Sequence, residues 1–183
     1  MAVPNKTYNN VINFLCRLGE YHEQIATVSV GNIYDLDLEK NMKYVLMHIN
    51  PTGVSTGESE LIYNFQIFVA DMTTEKKDWE TKQQSNLTKL VDTKTNEQEV
   101  FNQTLEISTD LIAMMRHSSQ QSLKGTNDIN EAIYFTEDEF SLDPFQESYD
   151  NLLCGWVWTV GIKVMNDFDA CAVPLDTTDG AGY

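Results

Sequence analysis

Asp35, Asp37 and Glu39 alternate in the run Asn-Ile-Tyr-Asp-Leu-Asp-Leu-Glu-Lys at 32 to 40, so an extended backbone puts three carboxylates on one face. Calcium and magnesium are bound by several converging oxygens, which makes this spacing a candidate hard-cation site. The alternative is an acidic edge facing water, because no glycine shapes a loop there as an EF-hand needs. A metal-dependent hydrolase built on these three residues is the catalytic reading the chain allows. Glu137, Asp138, Glu139, Asp143, Glu147 and Asp150 form a second acidic stretch. Paired carboxylates serve as acid and base only when burial splits their pKa values, and the pattern here is that of a solvated loop. His22, His48 and His117 stand near no serine or cysteine in a recognisable nucleophile motif. Cys16, Cys154 and Cys171 are widely spaced with no Cys-x-x-Cys pair, so reduced thiols are expected.

Composition narrows the function classes. Lys plus Arg number 12 against 28 Asp plus Glu, a net charge of -16 that opposes binding nucleic acid through phosphate neutralisation. With 183 residues, 42% of them hydrophobic, the chain can bury the core of one domain, and residues 1–183 are read as one. No window approaches the ~18 consecutive apolar residues of a membrane span, and the start lacks a secretory pattern. Synthesis in a cytosol is the expectation, with the three Asn-x-Thr sequons at 5, 86 and 102 unused.

The elements that must position these residues follow from periodicity. Tyr8, Val11, Ile12, Leu15 and Leu18 predict an amphipathic helix, with Thr7 or Asn5 at its start and Gly19 at its end. Ala26 to Val30 reads as a short strand. Lys43 to Asn50 and Glu60 to Met72 alternate as strands, joined through the Asn50-Pro51-Thr52-Gly53 turn signal and about ten polar residues. Residues 73–96 form a polar excursion. It carries Lys76, Lys77, Lys82, Lys89 and Lys94, and Trp79 in it is an aromatic of the kind that interfaces bury. Asn96 and Glu99 resemble a capping box opening a second helix to about His117, with Val100, Thr104, Ile107, Leu111 and Met115 in a stripe. Glu131 to Phe135 reads as a short strand, and Pro144 and Phe145 lead into the next.

That next strand, Leu152 to Met165, is the most apolar stretch. Cys154, Trp156, Trp158, Val160, Ile162 and Val164 fall on one side, and Gly155 and Gly161 give room on the other. Trp156, Trp158, Val160 and Ile162 are expected in the core with Phe65 and Ile67. Ala170 to Leu175 reads as an extended arm, with Val173, Pro174 and Leu175 able to lie on a neighbour, and residues 176–183 read as a flexible tail. The sum is an α+β domain with two helices on a mainly antiparallel sheet.

Phe145, the Ser-Tyr-Asp-Asn run at 148 to 151, Gly155-Trp156 with its alternating strand, and Cys171-x-x-Pro174 resemble the C-terminal signature of neck and tail-completion ring proteins of tailed bacteriophages. The likeness is nearest to those of crAss-like phages. The order of Thr27 to Gly31, Ile33 to Asp37, Lys40, the Tyr44 to Ile49 strand, Asn102 to Leu105 and Asp110 to Ile112 is similar too. Together they span about residues 7 to 175, and their weight lies in their order. Family proteins commonly have Pro where this chain has Tyr44 or Val45, and the lysine-bearing excursion is longer than usual. The resemblance implies a non-enzymatic subunit of a homo-oligomeric ring, without cofactor, made in the bacterial host's cytoplasm and located in the virion. Its partners would be its own copies and other phage neck and tail proteins, with DNA passing through unrecognised and no membrane involved. An acidic inhibitor whose carboxylates imitate DNA phosphates is the alternative that composition supports.

Overall fold

The computed structural model describes residues 7–32, 43–74, 96–120, 134–136, 139–147 and 153–165. Two helices, α1 (Tyr8–Tyr21) and α2 (Glu97–Gln120), accompany six strands: β1 (Thr27–Val30), β2 (Leu46–Thr56), β3 (Glu60–Met72), β4 (Phe135–Thr136), β5 (Leu142–Glu147) and β6 (Leu153–Met165). The strands form one sheet in the order β1-β2-β3-β6, with β4 and β5 both pairing along β6. Only β1 and β2 run parallel among the described pairs; the others are antiparallel. This is the α+β architecture expected from the periodicities.

Both helices pack on one face of the sheet. Val11 and Leu15 of α1, and Ile107, Leu111 and Met115 of α2, close a core with Met47 and Ile49, Phe65, Ile67 and Val69, and Trp158, Val160 and Ile162. These residues alternate along β2, β3 and β6, so the strand period selects which half of each strand is covered. On α2 the buried stripe includes Thr104 and Ser108, whose hydroxyls donate to the carbonyls of Val100 and Thr104, each at 2.7 Å. Satisfying those hydroxyls within the helix lets two small polar residues face the sheet without leaving a buried donor unpaired.

Several local expectations are corrected. Helix α1 does not end at Gly19 but runs to Tyr21, and Gly19 is a buried contact point. A Cβ there would come within 2.6 Å of the Met47 sulfur and 2.8 Å of Val28 Cγ2, so glycine sets how closely α1 lies on β1 and β2. Thr7 occupies the N-cap position without a side-chain capping bond. The turn signal at 50 to 53 does not end β2. The strand continues to Thr56 with a register shift between Pro51 and Gly53, and only residues 57–59 join it to β3. Pro51 is tolerated because it lies past the last β1 partner, Ile49, where β2 has become an edge. Leu142–Glu147, read as a lead-in, is a strand in its own right, and its Pro144 also sits on an edge strand.

Gly155 answers to a different neighbour than expected. It pairs with Ala70 of β3, and a Cβ on it would strike the Val69 carbonyl oxygen and lie 2.9 Å from Ala70 Cα. Its missing side chain makes room for the backbone of β3. Asn96 opens α2 as expected, its carbonyl accepting from the Glu99 and Val100 amides, and it has a second role: its side chain accepts from the Thr74 amide at 2.7 Å, and its own amide donates to the Thr74 carbonyl at 3.3 Å. Thr74 and Asn96 are thereby clamped together, so the chain leaves β3 and re-enters at α2 through one point.

Candidate functional site

The nearest approach to a nucleophile and base among the described residues is between Ser29 of β1 and His48 of β2. Their register places them side by side on the sheet face away from the helices, with Ser29 Oγ 2.8 Å from His48 Nδ1. His48 is 2% exposed and its ring tilts against Phe68, which in turn meets Phe145 edge-on. Burial lowers the imidazole pKa from its ordinary value, partly offset by the nearby Gly31 backbone, so the ring is neutral at pH 7. A catalytic histidine needs a partner orienting its second nitrogen. Here Nε2 is buried without a partner among the described residues, so the pair is a structural tie between strands.

The other histidines do different work. His22 Nε2 lies 3.5 Å from Asp110 Oδ2, joining the end of α1 to α2. His117 is exposed at the end of α2, as its position in the last turn suggested. Cys154 is buried, and desolvation together with the charges of Glu97 and Asp71 pushes its thiol up to about 12. Such a thiol is protonated at every physiological pH and is no nucleophile. No group of three or more His, Cys, Asp or Glu suited to a metal occurs among the described residues. Asp35, Asp37 and Glu39 lie outside those residues.

Two surface grooves flank α2. One, of about 460 Å³, is lined by Phe101, Asn102 and Leu105 of the helix, with Gln98 and Glu99 at its rim and Trp156 of β6 at its floor. Trp156 donates from Nε1 to the Phe101 carbonyl at 2.8 Å, and its ring meets Phe101 edge-on at 5.9 Å. Trp156 was expected to be a core residue; it is only half-buried, because α2 covers one part of the indole and the groove leaves the rest open. The other groove, of about 490 Å³, runs along the C-terminal half of α2 against Phe140 and Leu142. There the Arg116 guanidinium stands 5.4 Å from the Phe140 ring centroid, a cation–π arrangement.

The remaining expected core residues are in place: Trp158, Phe65, Ile67, Val160 and Ile162 are all buried. The expected loop contacts Lys76, Lys77, Trp79, Lys82, Lys89 and Lys94 lie outside the described residues, as do Val173, Pro174 and Leu175 of the arm. Sequence reasoning missed the Trp156–Phe101–Leu105 groove. Leu105 at the margin of the helical stripe was the available signal, since a residue broadening an apolar face is the first to protrude past the sheet.

A third surface lies at the far end of the sheet. From Thr52 to Ser59 every residue of the β2–β3 hairpin is exposed, and Val54 shows 53% of its surface. Trp156 pairs with Val69 and the hairpin tip begins at Glu60, so nine residues of β3 separate groove from tip, about 30 Å at the usual strand rise. No helix among the described residues is long and apolar enough to cross a membrane. Compared with protein-family models and with curated proteins, the chain matches none.

Proposed function

We propose that this protein is a structural subunit of a homo-oligomeric ring in the neck or tail of a tailed-phage virion, joining head to tail around the DNA channel. The supporting observation is that one domain carries two dissimilar surfaces at opposite ends of its sheet. One is a projecting hairpin, the other a groove with a half-buried tryptophan. A ring built head to tail needs this kind of asymmetry, because each subunit offers one surface to a different surface of the next. Half-exposed aromatic and aliphatic side chains are also the usual centre of protein interfaces. The ordered resemblance to neck and tail-completion proteins supplies the placement in the virion, and the net charge of -16 suits a wall past which phosphates slide without adhering.

Native mass spectrometry of the purified chain tests the reading, alone and with Val54→Glu at the hairpin or Asn102→Arg beside Trp156. Both positions are exposed, so the folded monomer survives substitution. The wild type is expected to form one closed oligomer, and each variant to fall back to monomer. A wild type that stays monomeric at high concentration and is absent from purified virions overturns the proposal.

A further inference from the structure

His48 is the most enclosed ionisable side chain described on the sheet face away from the helices. Strand β1 is four residues long and sits at the edge of the sheet, where its described strand partner is β2. Its backbone ties include the Thr27 amide to the Val45 carbonyl at 3.2 Å and the Gly31 amide to the Ile49 carbonyl at 3.0 Å. Side-chain ties on the face away from the helices are the contact between Ser29 Oγ and His48 Nδ1 and the hydrogen bond that Thr27 Oγ1 donates to the Lys43 carbonyl, each at 2.8 Å. His48 is therefore enclosed by the strand that it holds.

We propose that this junction is an acid-released latch: protonation of His48 detaches β1 from β2 and leaves the β2 edge open. In the neutral ring, Nδ1 shares a hydrogen bond with Ser29 and Nε2 sits without a partner among the described residues. Adding a proton makes both nitrogens donors. Ser29 Oγ and the Gly31 backbone can accept from the charged ring, but neither carries a counter-charge, and burying an uncompensated charge is strongly unfavourable.

Among the described residues, the groups facing His48 supply no such counter-charge. On the same face, β1 contributes Thr27 and Ser29, β2 contributes Leu46 and Asn50, and β3 contributes Gln66, Phe68 and Ala70. None of these titrates, and Tyr44, two residues before β2, is neutral in acid, its pKa raised by burial and by the charge of Asp71. The charged side chains described on this face are Glu60, eight residues before Phe68 on β3, and Asp143 of β5 and Lys163 of β6, on strands that do not pair with β2; Asp71 of β3 falls on the opposite face, opposite Cys154. His22 and Asp110 bind α1 to α2 over the opposite face and do not meet His48. Hydrating the charged ring requires an opening, and a short edge strand opens at lower free energy than the centre of a sheet.

The sign follows from the direction of the perturbation. The folded-state pKa lies below the unfolded value of 6.5, so the closed junction is fully favoured above 6.5 and loses stability as pH falls from there toward the folded value. One proton linked in this way raises the opening constant at most about tenfold per pH unit.

Amide hydrogen exchange measured by NMR between pH 7.5 and 5, corrected for intrinsic rates, reads this directly. Protection at Thr27 and Gly31 is expected to fall by up to about tenfold per pH unit below 6.5, while amides in the paired centre of β3 and β6 keep theirs. His48→Asn, which cannot titrate, is expected to remove the pH dependence at Thr27 and Gly31. Should that variant fail to fold, the imidazole resonances of the wild type decide, with His48 expected to titrate below 6.5. Titration at or above 6.5, as a carboxylate against Nε2 would produce, overturns the latch. So does equal loss of protection across β1, β3 and β6, or an unchanged pH dependence in His48→Asn.

Discussion

Truncating each of the two tryptophans of β6 to alanine separates a core residue from a groove residue on the same strand. Trp158 is 2% exposed, meets Phe140 edge-on at 5.7 Å and belongs to the central cluster. Its replacement leaves a cavity that the neighbouring strands and helix cannot close, so Trp158→Ala should cost about 3–5 kcal/mol. Trp156 is half-buried, and its truncation removes one hydrogen bond to the Phe101 carbonyl and one edge-on aromatic contact. Such a bond contributes about 0.5–1.5 kcal/mol and such a pair about as much again, so Trp156→Ala should cost about 1–3 kcal/mol. For a domain of this size, 1 kcal/mol moves the melting temperature by about 2–4 °C, so a difference of ~2 kcal/mol separates the two variants by about 4–8 °C. Thermal and urea unfolding followed by far-UV circular dichroism measures this without relying on the fluorescence of the residues removed. Equal losses for the two variants would refute the assignment of Trp156 to a groove and Trp158 to the core. The same groove assignment underlies the proposed subunit contact, so that outcome also removes one of its two surfaces.

Two further outcomes follow from the packing around β6. Gly155→Ala should destabilise the fold by about 1–3 kcal/mol or more, because the added methyl meets β3 backbone that cannot rotate away; a melting temperature equal to wild type would show that β3 and β6 are farther apart. Cys154, with its thiol pushed up to about 12, should resist iodoacetamide at pH 8 in the folded protein and react once urea unfolds it. Peptide mass spectrometry reads the modification at that residue, and rapid labelling of the native chain would mean that the strand is open to solvent.

The secondary elements most legible in the sequence were those whose period is enforced by burial on one side. Helix α2 followed from Val100, Thr104, Ile107, Leu111 and Met115, and β3 from Tyr63, Phe65, Ile67 and Val69, all of which are buried. Boundaries were less legible where a residue's local preference was overridden by its neighbours in space. Gly19 carries a helix-ending signal yet continues α1, because what it provides is proximity to Met47 and Val28. Pro51 carries a turn signal yet lies inside β2, because β1 stops before it and leaves an edge where a missing amide costs little. Asn96 stands before α2 as its chemistry suggests, but its side-chain bond to the Thr74 amide, 22 residues away, could not be read from the sequence.

The surfaces were the hardest to see. Period two placed Trp156 and Trp158 on one face as equals, since a strand pattern records which side a residue points to and not how far the covering helix extends. That reach was decided by where α2 crosses β6, with Phe101 covering part of one indole and Phe140 closing over the other. His48 is a second instance. Its alternation assigned it to the face opposite Met47 and Ile49, but its enclosure depends on Ser29, which is 19 residues distant and brought alongside by the parallel pairing of β1 with β2. The sequence by itself determined the fold class, the two helices, the strands of the central sheet and the composition of the core, because burial of apolar area acts residue by residue along each element. Only the tertiary structure decided which apolar residues stay half-exposed in grooves and which polar ones are sealed, because both depend on where separate elements end against one another.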